Sequence, residues 1–197
     1  TYAMEGSIFI AGAGVQWLRD KMKFFKKAPE TEKIIKSLKD NSDVYLVPAF
    51  TGLGAPYWDS NSRGVLSGLT RNTGPKEIIR ATVESVAYQT YDLFEAMKHD
   101  GLKPRLVKVD GGMVTNNWFS QFLSDVVNVG VLRPRVKETT ALGAAFMAGL
   151  QIGVYKSLKD ISNKWSLDKK FSPKMKNKDR AQLLKGWSKA IKRTLIN

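Results

Sequence analysis

Hydrophobic positions along this chain follow two patterns, one typical of helices and one typical of buried strands. The clearest helical stripe lies in residues 75–99, where apolar side chains recur at spacings that bring them onto one face. The members of this stripe are Ile79, Val83, Val86, Leu93, Phe94 and Met97. Similar spacing predicts helices over residues 11–25, 30–38, 116–127, 139–152 and 181–195. Short apolar runs predict strands over residues 44–50, 64–70, 106–109 and 129–132.

This alternation of strands and helices predicts an α/β fold. Pro29 is expected to open the second helix, because proline is tolerated in a first turn. Residues 133–135 are expected to stop the strand before them, and residues 51–59 have the composition of turns. One face of the first helix is expected to carry four apolar residues. They are Val15, Leu18, Met22 and Phe25.

Composition excludes several classes of protein. The chain has 197 residues, enough for one sizeable domain, and no apolar run approaches the roughly 20 residues of a membrane span. It has no cysteine and one histidine, which excludes disulfides, thiolate metal sites and any site with two imidazoles. The β-like apolar run at the start begins abruptly at Thr1, without the features of a signal peptide. We therefore expect the chain to begin inside a longer protein.

Positive charge is concentrated at the end of the chain. The net charge is +14, and residues 151–197 hold 13 Lys/Arg against 3 Asp/Glu. Such a segment fits either a solvated lysine-rich surface or a basic binding module for nucleic acid or an acidic partner. Aromatic residues in the segment are scattered rather than regularly spaced, so they do not indicate a stacking platform for single strands. We expect no nucleic-acid partner.

The first candidate binding motif is Val109-Asp110-Gly111-Gly112, at a predicted junction between a strand and a helix. Paired glycines let a ligand approach the backbone closely, and the following helix would direct free N–H groups toward an anion. Asn116 offers both a donor and an acceptor to a purine edge. The alternative is a tight turn in which Asn116 caps the next helix.

A second candidate lies at Gly12-Ala13-Gly14, which opens the first helix and resembles a phosphate-binding turn. The full dinucleotide fingerprint fails because Trp17 occupies its last glycine position. A plain glycine-rich connection explains the segment equally well.

A third segment, residues 138–145, begins a helix with small side chains after a threonine cap. We expect Gly143, Ala144 and Ala145 to pack in the core, because none of them can take part in chemistry. The chain lacks the calcium-loop and zinc-helix motifs. Glu84 and Glu95 lie too far apart on their helix to act as a pair, and His99 is expected at the surface.

Several linked segments, in this order, resemble the FGGY carbohydrate kinases, and the match narrows to members that act on glycerol. The segments are residues 2–6, 16–20, 48–58, 64–69, 77–84, 109–112, 138–145 and 186–193. The resemblance implies an actin-like ATPase, ribonuclease-H-like α/β domain, the C-terminal one of two lobes. It implies that residues 1–197 form this ATP-binding domain, with a basic helical part at 151–197, and that the N-terminal lobe is absent from this chain.

The activity implied by the resemblance is transfer of the γ-phosphoryl group of ATP to glycerol, with Mg²⁺ as a cofactor. Positions matching the family's ATP-binding residues are Gly12, Gln16, Gly112 and Asn116, and Gly111 lies beside them in the turn. No catalytic residue or metal ligand of the family falls within this chain, so the chain alone is expected to be inactive.

The implied partners are ATP or ADP, glycerol (bound mostly by the N-terminal lobe), that lobe itself, and a second copy in a homodimer. The implied location is the cytoplasm. Another sugar or polyol kinase of the family is the main alternative, and the basic binding module described above is the other.

Overall fold

One long helix, at residues 75–99 as the sequence predicts, organises the packing of this chain. The computed structural model describes residues 3–40 and 43–195. The helices are α1 (Gly12–Asp20), α2 (Glu30–Lys36), α3 (Pro75–His99), α4 (Asn117–Val127), α5 (Thr139–Gln151), α6 (Leu158–Ser162) and α7 (Asn177–Thr194). The strands are β1 (Tyr45–Val47), β2 (Val65–Ser67), β3 (Leu106–Lys108), β4 (Gly130–Pro134) and β5 (Leu167–Phe171).

The described strands form two small sheets. β1 and β2 pair antiparallel, and all three residues of β1 are buried. In the second sheet β3 runs parallel to β4, and β4 runs antiparallel to β5. Helix α3 packs against α1, α2, α4 and β1, so it connects the first sheet to the glycine-rich start of α1 and to α4.

An aromatic cluster forms the centre of the core. Tyr88 of α3 stacks on Trp187 of α7, with ring centroids 5.3 Å apart, and meets the edge of Phe122 of α4 at 5.6 Å. Burial raises the pKa of Tyr88 well above its ordinary value, and its hydroxyl donates a 3.0 Å hydrogen bond to buried Glu84. Arg80 completes the group with a 2.7 Å ion pair to Glu84, which gives the buried carboxylate its counter-charge.

Most predicted elements are confirmed within a few residues, but the first helix is shorter than predicted. α1 ends at Asp20, and Lys23 adopts a left-handed backbone with φ of 58°. Met22 is therefore 43% exposed instead of facing the core, and Phe25 reaches the core from outside the helix. Lysine in this conformation cannot continue a right-handed helix, which explains the early end.

The strand predicted at 129–132 also differs, because β4 continues through Arg133 and Pro134. Pro134 is tolerated there because it sits at the strand end, where the pairing register with β5 shifts. Two elements, α6 and β5, were not predicted, so the basic segment 151–197 contains a strand as well as helices. The described residues 3–10 contain no strand, while Thr1 and Tyr2 lie outside the described residues.

Helix α5 contradicts the expectation that its small residues pack in the core. Gly149 is its one buried residue, and Ala144 and Ala145 are not buried. A Cβ placed on Gly143 would meet no atom within 4 Å. The apolar helix thus lies on the surface of the described chain. Across residues 3–40 and 43–195, no helix is long and apolar enough to cross a membrane.

Candidate functional site

A cavity of about 510 Å³ lies where α1, α2 and the segment after β3 meet. Its wall includes Gly12 and Gln16 of α1, Glu32 of α2, and Gly112 and Asn116 from the segment after β3. Two glycine-rich segments one hundred positions apart therefore share one cavity.

Glycine places α1 against both the cavity and the core. A Cβ on Gly12 would meet no atom within 4 Å, so the backbone at the start of α1 is open toward the cavity. Two residues on, a Cβ on Gly14 would lie 3.0 Å from the Thr82 methyl group, so α1 packs tightly on α3. Because Gly12 is the first residue of α1 and lines the cavity, the positive end of the α1 dipole lies at the cavity wall.

The segment after β3 forms a short 3-10 turn, Gly112–Thr115, before α4 begins. Gly111 precedes it with φ of 84° and ψ of 178°, a conformation that is essentially restricted to glycine. The Gly111 N–H donates a 2.8 Å hydrogen bond to the Lys137 carbonyl, which anchors the start of the turn beside β4. Gly111 is not among the residues lining the cavity. It sets the backbone direction of Gly112, and Gly112 does line the cavity.

Asn116 acts as the cap of α4, the alternative considered from its sequence. Its Oδ1 accepts a 3.0 Å hydrogen bond from the Phe119 N–H, and its Nδ2 donates to Thr31 Oγ1 at 3.4 Å. The Asn117 N–H donates to Glu32 at 3.1 Å. The N–H groups of Asn117, Phe119 and Ser120 at the start of α4 are therefore bonded to Glu32 and Asn116, which contradicts the expectation that these groups are free for a ligand.

Glu32 connects the cavity wall to α4. Burial opposes its ionisation, but hydrogen bonds from the Lys36 ammonium at 2.6 Å and from the Asn117 N–H outweigh this effect and lower its pKa. Glu32 is therefore ionised at neutral pH and helps to hold α2 against the start of α4.

Mg²⁺ requires oxygen ligands, usually one or two carboxylates together with phosphates and waters. Among the described lining residues Glu32 is the one carboxylate, and its oxygens already accept from Lys36 and Asn117. In the part of the chain that the structure covers, no group of three or more potential ligands could hold a metal ion. The residues at this cavity therefore do not fit a protein-bound Mg²⁺ site.

The structure brings together four of the five residues that the sequence singles out, namely Gly12, Gln16, Gly112 and Asn116. Sequence reasoning missed the contribution of α2, whose residues Thr31 and Glu32, with Pro29 just before them, line the same cavity. Nothing local to α2 indicates this role, because only the packing of α2 beside α4 brings it to the cavity. The role of the four residues as nucleotide ligands stays a prediction.

Residues 1–152 match the C-terminal domain of the FGGY family of carbohydrate kinases. Glycerol kinase 1 of Pseudomonas aeruginosa is 55% identical to this chain over 193 residues, covering 98% of the chain and 39% of the relative. The glycerol kinase of Alkaliphilus metalliredigens is 51% identical over 195 residues, again covering 98% of this chain and 39% of the relative. The chain thus spans about two fifths of the length of these curated relatives.

Solved structures show the same fold. The crystal structure of Plasmodium falciparum glycerol kinase with ADP superposes with a TM-score of 0.85 at 38% identity, over 97% of this chain and 38% of that one. The ligand-bound xylulose kinase of Lactobacillus acidophilus superposes with a TM-score of 0.77 at 24% identity, over 95% of this chain and 38% of that one. The predicted fold class is confirmed by these similarities.

Proposed function

Because this chain belongs to the FGGY family of carbohydrate kinases, we propose that it forms the nucleotide-binding lobe of an enzyme that phosphorylates glycerol. The enzyme would transfer the γ-phosphoryl group of ATP to a primary hydroxyl and release glycerol 3-phosphate. The observation that carries this proposal is the single cavity lined by Gly12, Gln16, Gly112 and Asn116. The similarity to a glycerol kinase that was crystallised with ADP supports the choice of nucleotide and acceptor.

The cavity offers chemically different surfaces to the two ends of a nucleotide. Val15, Val83 and Met113 supply apolar contacts that suit the face of a purine. The exposed backbone at Gly12 and Gly112 suits phosphate oxygens, since no side chain blocks the approach. Phosphoryl transfer depends mostly on positioning and charge stabilisation, so a lobe that holds the nucleotide rigidly supplies a substantial part of the catalytic requirement.

The remaining requirements are proposed to lie outside this chain. An N-terminal lobe would supply the catalytic base and most contacts to glycerol, and closure of the two lobes would exclude water. Mg²⁺ would arrive on the nucleotide phosphates, because the described cavity offers it no uncommitted carboxylate. We further propose that the whole enzyme is a cytoplasmic homodimer, as the family resemblance implies.

Titration of the 197-residue chain with ADP tests the proposal, with backbone amide NMR to locate the binding. We expect saturable binding, with the largest shifts at residues 12–16 and 111–116. The same chain should show no glycerol-dependent ATP turnover. Saturable ADP binding that leaves both segments unshifted would overturn the proposal, as would glycerol-dependent turnover by this chain alone.

The basic-module alternative predicts a different outcome in the same experiment. A short DNA or RNA duplex would shift amides spread over residues 156–193, and its affinity would fall steeply as salt rises.

The other alternative is a different acceptor within the same family, and a measurement of activity on each acceptor tests it. In the enzyme with both lobes, glycerol should give a higher kcat/KM than xylulose or gluconate, which appear in the names of two structural neighbours.

A further inference from the structure

A buried arginine on β4 contacts the turn that lines the cavity. The side chain of Arg133 is 8% exposed, and its guanidinium faces the Gly112–Thr115 turn. Nη1 donates to the Val114 carbonyl at 2.8 Å and lies 3.4 Å from the Thr115 carbonyl. Nη2 donates to Asn117 Oδ1 at 3.2 Å. One side chain therefore bonds to the end of the turn and to the first residue of α4.

The turn needs such a donor because its last carbonyls have no helical partners. Asn116 is extended, with φ of −72° and ψ of 109°, so the turn does not run on into α4. A carbonyl left without a donor in a buried place is costly, and a charged donor gives a stronger hydrogen bond than a neutral one. Ser120 adds a second donor to the Val114 carbonyl at 3.1 Å, but the Arg133 contact is the shorter one.

The fourth contact of Arg133 leads to the C-terminal segment. Nε donates to Asp168 Oδ2 on β5 at 2.7 Å, and the guanidinium lies 5.5 Å from the centre of the Phe171 ring. Asp168 supplies the counter-charge that a buried guanidinium requires. The Nζ of Lys169 also lies 3.5 Å from Asn117 Oδ1, so β5 is linked to the start of α4 directly as well as through Arg133.

We propose that Arg133 and Asp168 are positioning residues that hold the Gly112–Thr115 turn in its nucleotide-binding shape, an inference that rests on the proposed function. Asp168 lies beyond residues 1–152, the part that matches the family domain. The lysine-rich C-terminal segment thus supplies the carboxylate that orients Arg133 beneath the turn. Neither residue lines the cavity, so both act through the backbone of the turn.

Two variants test the proposal in the 197-residue chain. Arg133→Lys keeps the positive charge. The single ammonium group of lysine cannot bond to the turn, to Asn117 and to Asp168 at the same time, because it lacks the planar fork of the guanidinium. Asp168→Asn keeps the shape but removes the counter-charge. We expect ADP to bind about tenfold more weakly to the first and severalfold more weakly to the second. Amide hydrogen exchange at residues 112–116 should be faster in both.

Controls separate positioning from general stability. Asp160→Asn removes a carboxylate from the same basic segment, where its only close cation is Lys164 at 4.0 Å among the described residues, and should change neither readout. Asp168→Glu should restore most of the affinity lost in Asp168→Asn. All measurements are made well below the melting temperature of each variant. If Arg133→Lys does not fold, the comparison of Asp168→Asn with Asp168→Glu tests the proposal.

The outcomes distinguish this inference from the function on which it rests. If the parent chain binds ADP while Asp168→Asn and Arg133→Lys bind it equally well, with unchanged exchange at residues 112–116, the inference is wrong and the proposed function stands. If the parent chain binds no ADP, the proposed function fails and the nucleotide-binding part of the inference fails with it. The exchange rates still decide whether Arg133 and Asp168 hold the turn.

Discussion

The indole Nε1–H of Trp187 donates a 2.6 Å hydrogen bond to Oδ2 of Asp92, which joins α7 to α3 across 95 positions of sequence. The hydroxyl of Tyr57 donates to the same carboxylate oxygen at 2.8 Å. Burial raises the pKa of Asp92 to about 6, although both hydrogen bonds favour its ionised form. The Asp92 carboxylate thus joins α3 to α7 and to the segment around Tyr57, although burial disfavours its charged form.

This relationship predicts a specific pH dependence of stability. Because the pKa of Asp92 is higher in the folded chain than in the unfolded chain, the folded state binds the proton more tightly. The cost of burying the charge is therefore present above about pH 6 and fades as pH falls toward 4. Asp92→Asn has no such cost, and its single amide oxygen can still accept from both donors.

Urea unfolding of the parent chain and of Asp92→Asn at pH 7 and at pH 4.5 measures the effect. Relative to the variant, the parent should gain about 1–2 kcal/mol of unfolding free energy at the lower pH. Asp100→Asn, at an exposed position just after α3, serves as the control for loss of a carboxylate. An equal difference between parent and Asp92→Asn at both pH values would show that Asp92 is not the titrating group.

Gly112→Ala should weaken nucleotide binding without unfolding the chain. A Cβ at this position meets no atom within 4 Å, yet it would stand at the cavity wall where we place phosphate oxygens. We expect the free energy of unfolding to change by less than about 1 kcal/mol and the dissociation constant for ADP to rise about tenfold. Gly143→Ala, also in open space but away from the cavity, is the matched control. Equal ADP affinity in both variants would remove Gly112 from the site.

Substitutions at Asn116 separate its capping role from a role in binding. Asn116→Asp keeps an oxygen cap for the Phe119 N–H but places a negative charge at the cavity, so stability should hold while ADP affinity falls. Asn116→Ala loses the cap, which should cost about 1 kcal/mol of stability. Thermal unfolding and ADP titration of both variants measure the two effects. Unchanged ADP affinity in Asn116→Asp would confine this residue to capping α4.

Gly186→Ala tests the close contact between α7 and β1. An added Cβ would overlap the ring of Tyr45, which is 4% exposed and cannot move aside without disturbing the core. We expect a loss of about 1–3 kcal/mol of stability, as for other overpacked positions. Ser188→Ala, at an exposed position two residues further along α7, should leave stability nearly unchanged. A melting temperature for Gly186→Ala equal to that of the control would contradict the observed packing.

Local features of the sequence determined a large part of this fold. The apolar spacing in residues 75–99 defines α3 because a helix must bury one continuous face, and Pro75 marks its first turn. The glycines at 12, 111 and 112 mark places where the backbone must be open or adopt φ values that other residues avoid. Linked motifs in a fixed order were enough to indicate the family, whose C-terminal domain matches residues 1–152.

Only the tertiary structure decided which groups meet at the cavity and which of them remain available there. Glu32 and Thr31 reach the site because α2 packs beside α4. Glu32 accepts a hydrogen bond from the Asn117 N–H, a group that the sequence alone would leave free for a ligand. Arg133 looked like the end of a strand, but its guanidinium lies under the glycine turn with Asp168 as its partner. Periodicity reports how a segment presents its own faces, whereas these contacts join residues far apart in sequence. They depend on how the elements pack, which no local pattern records.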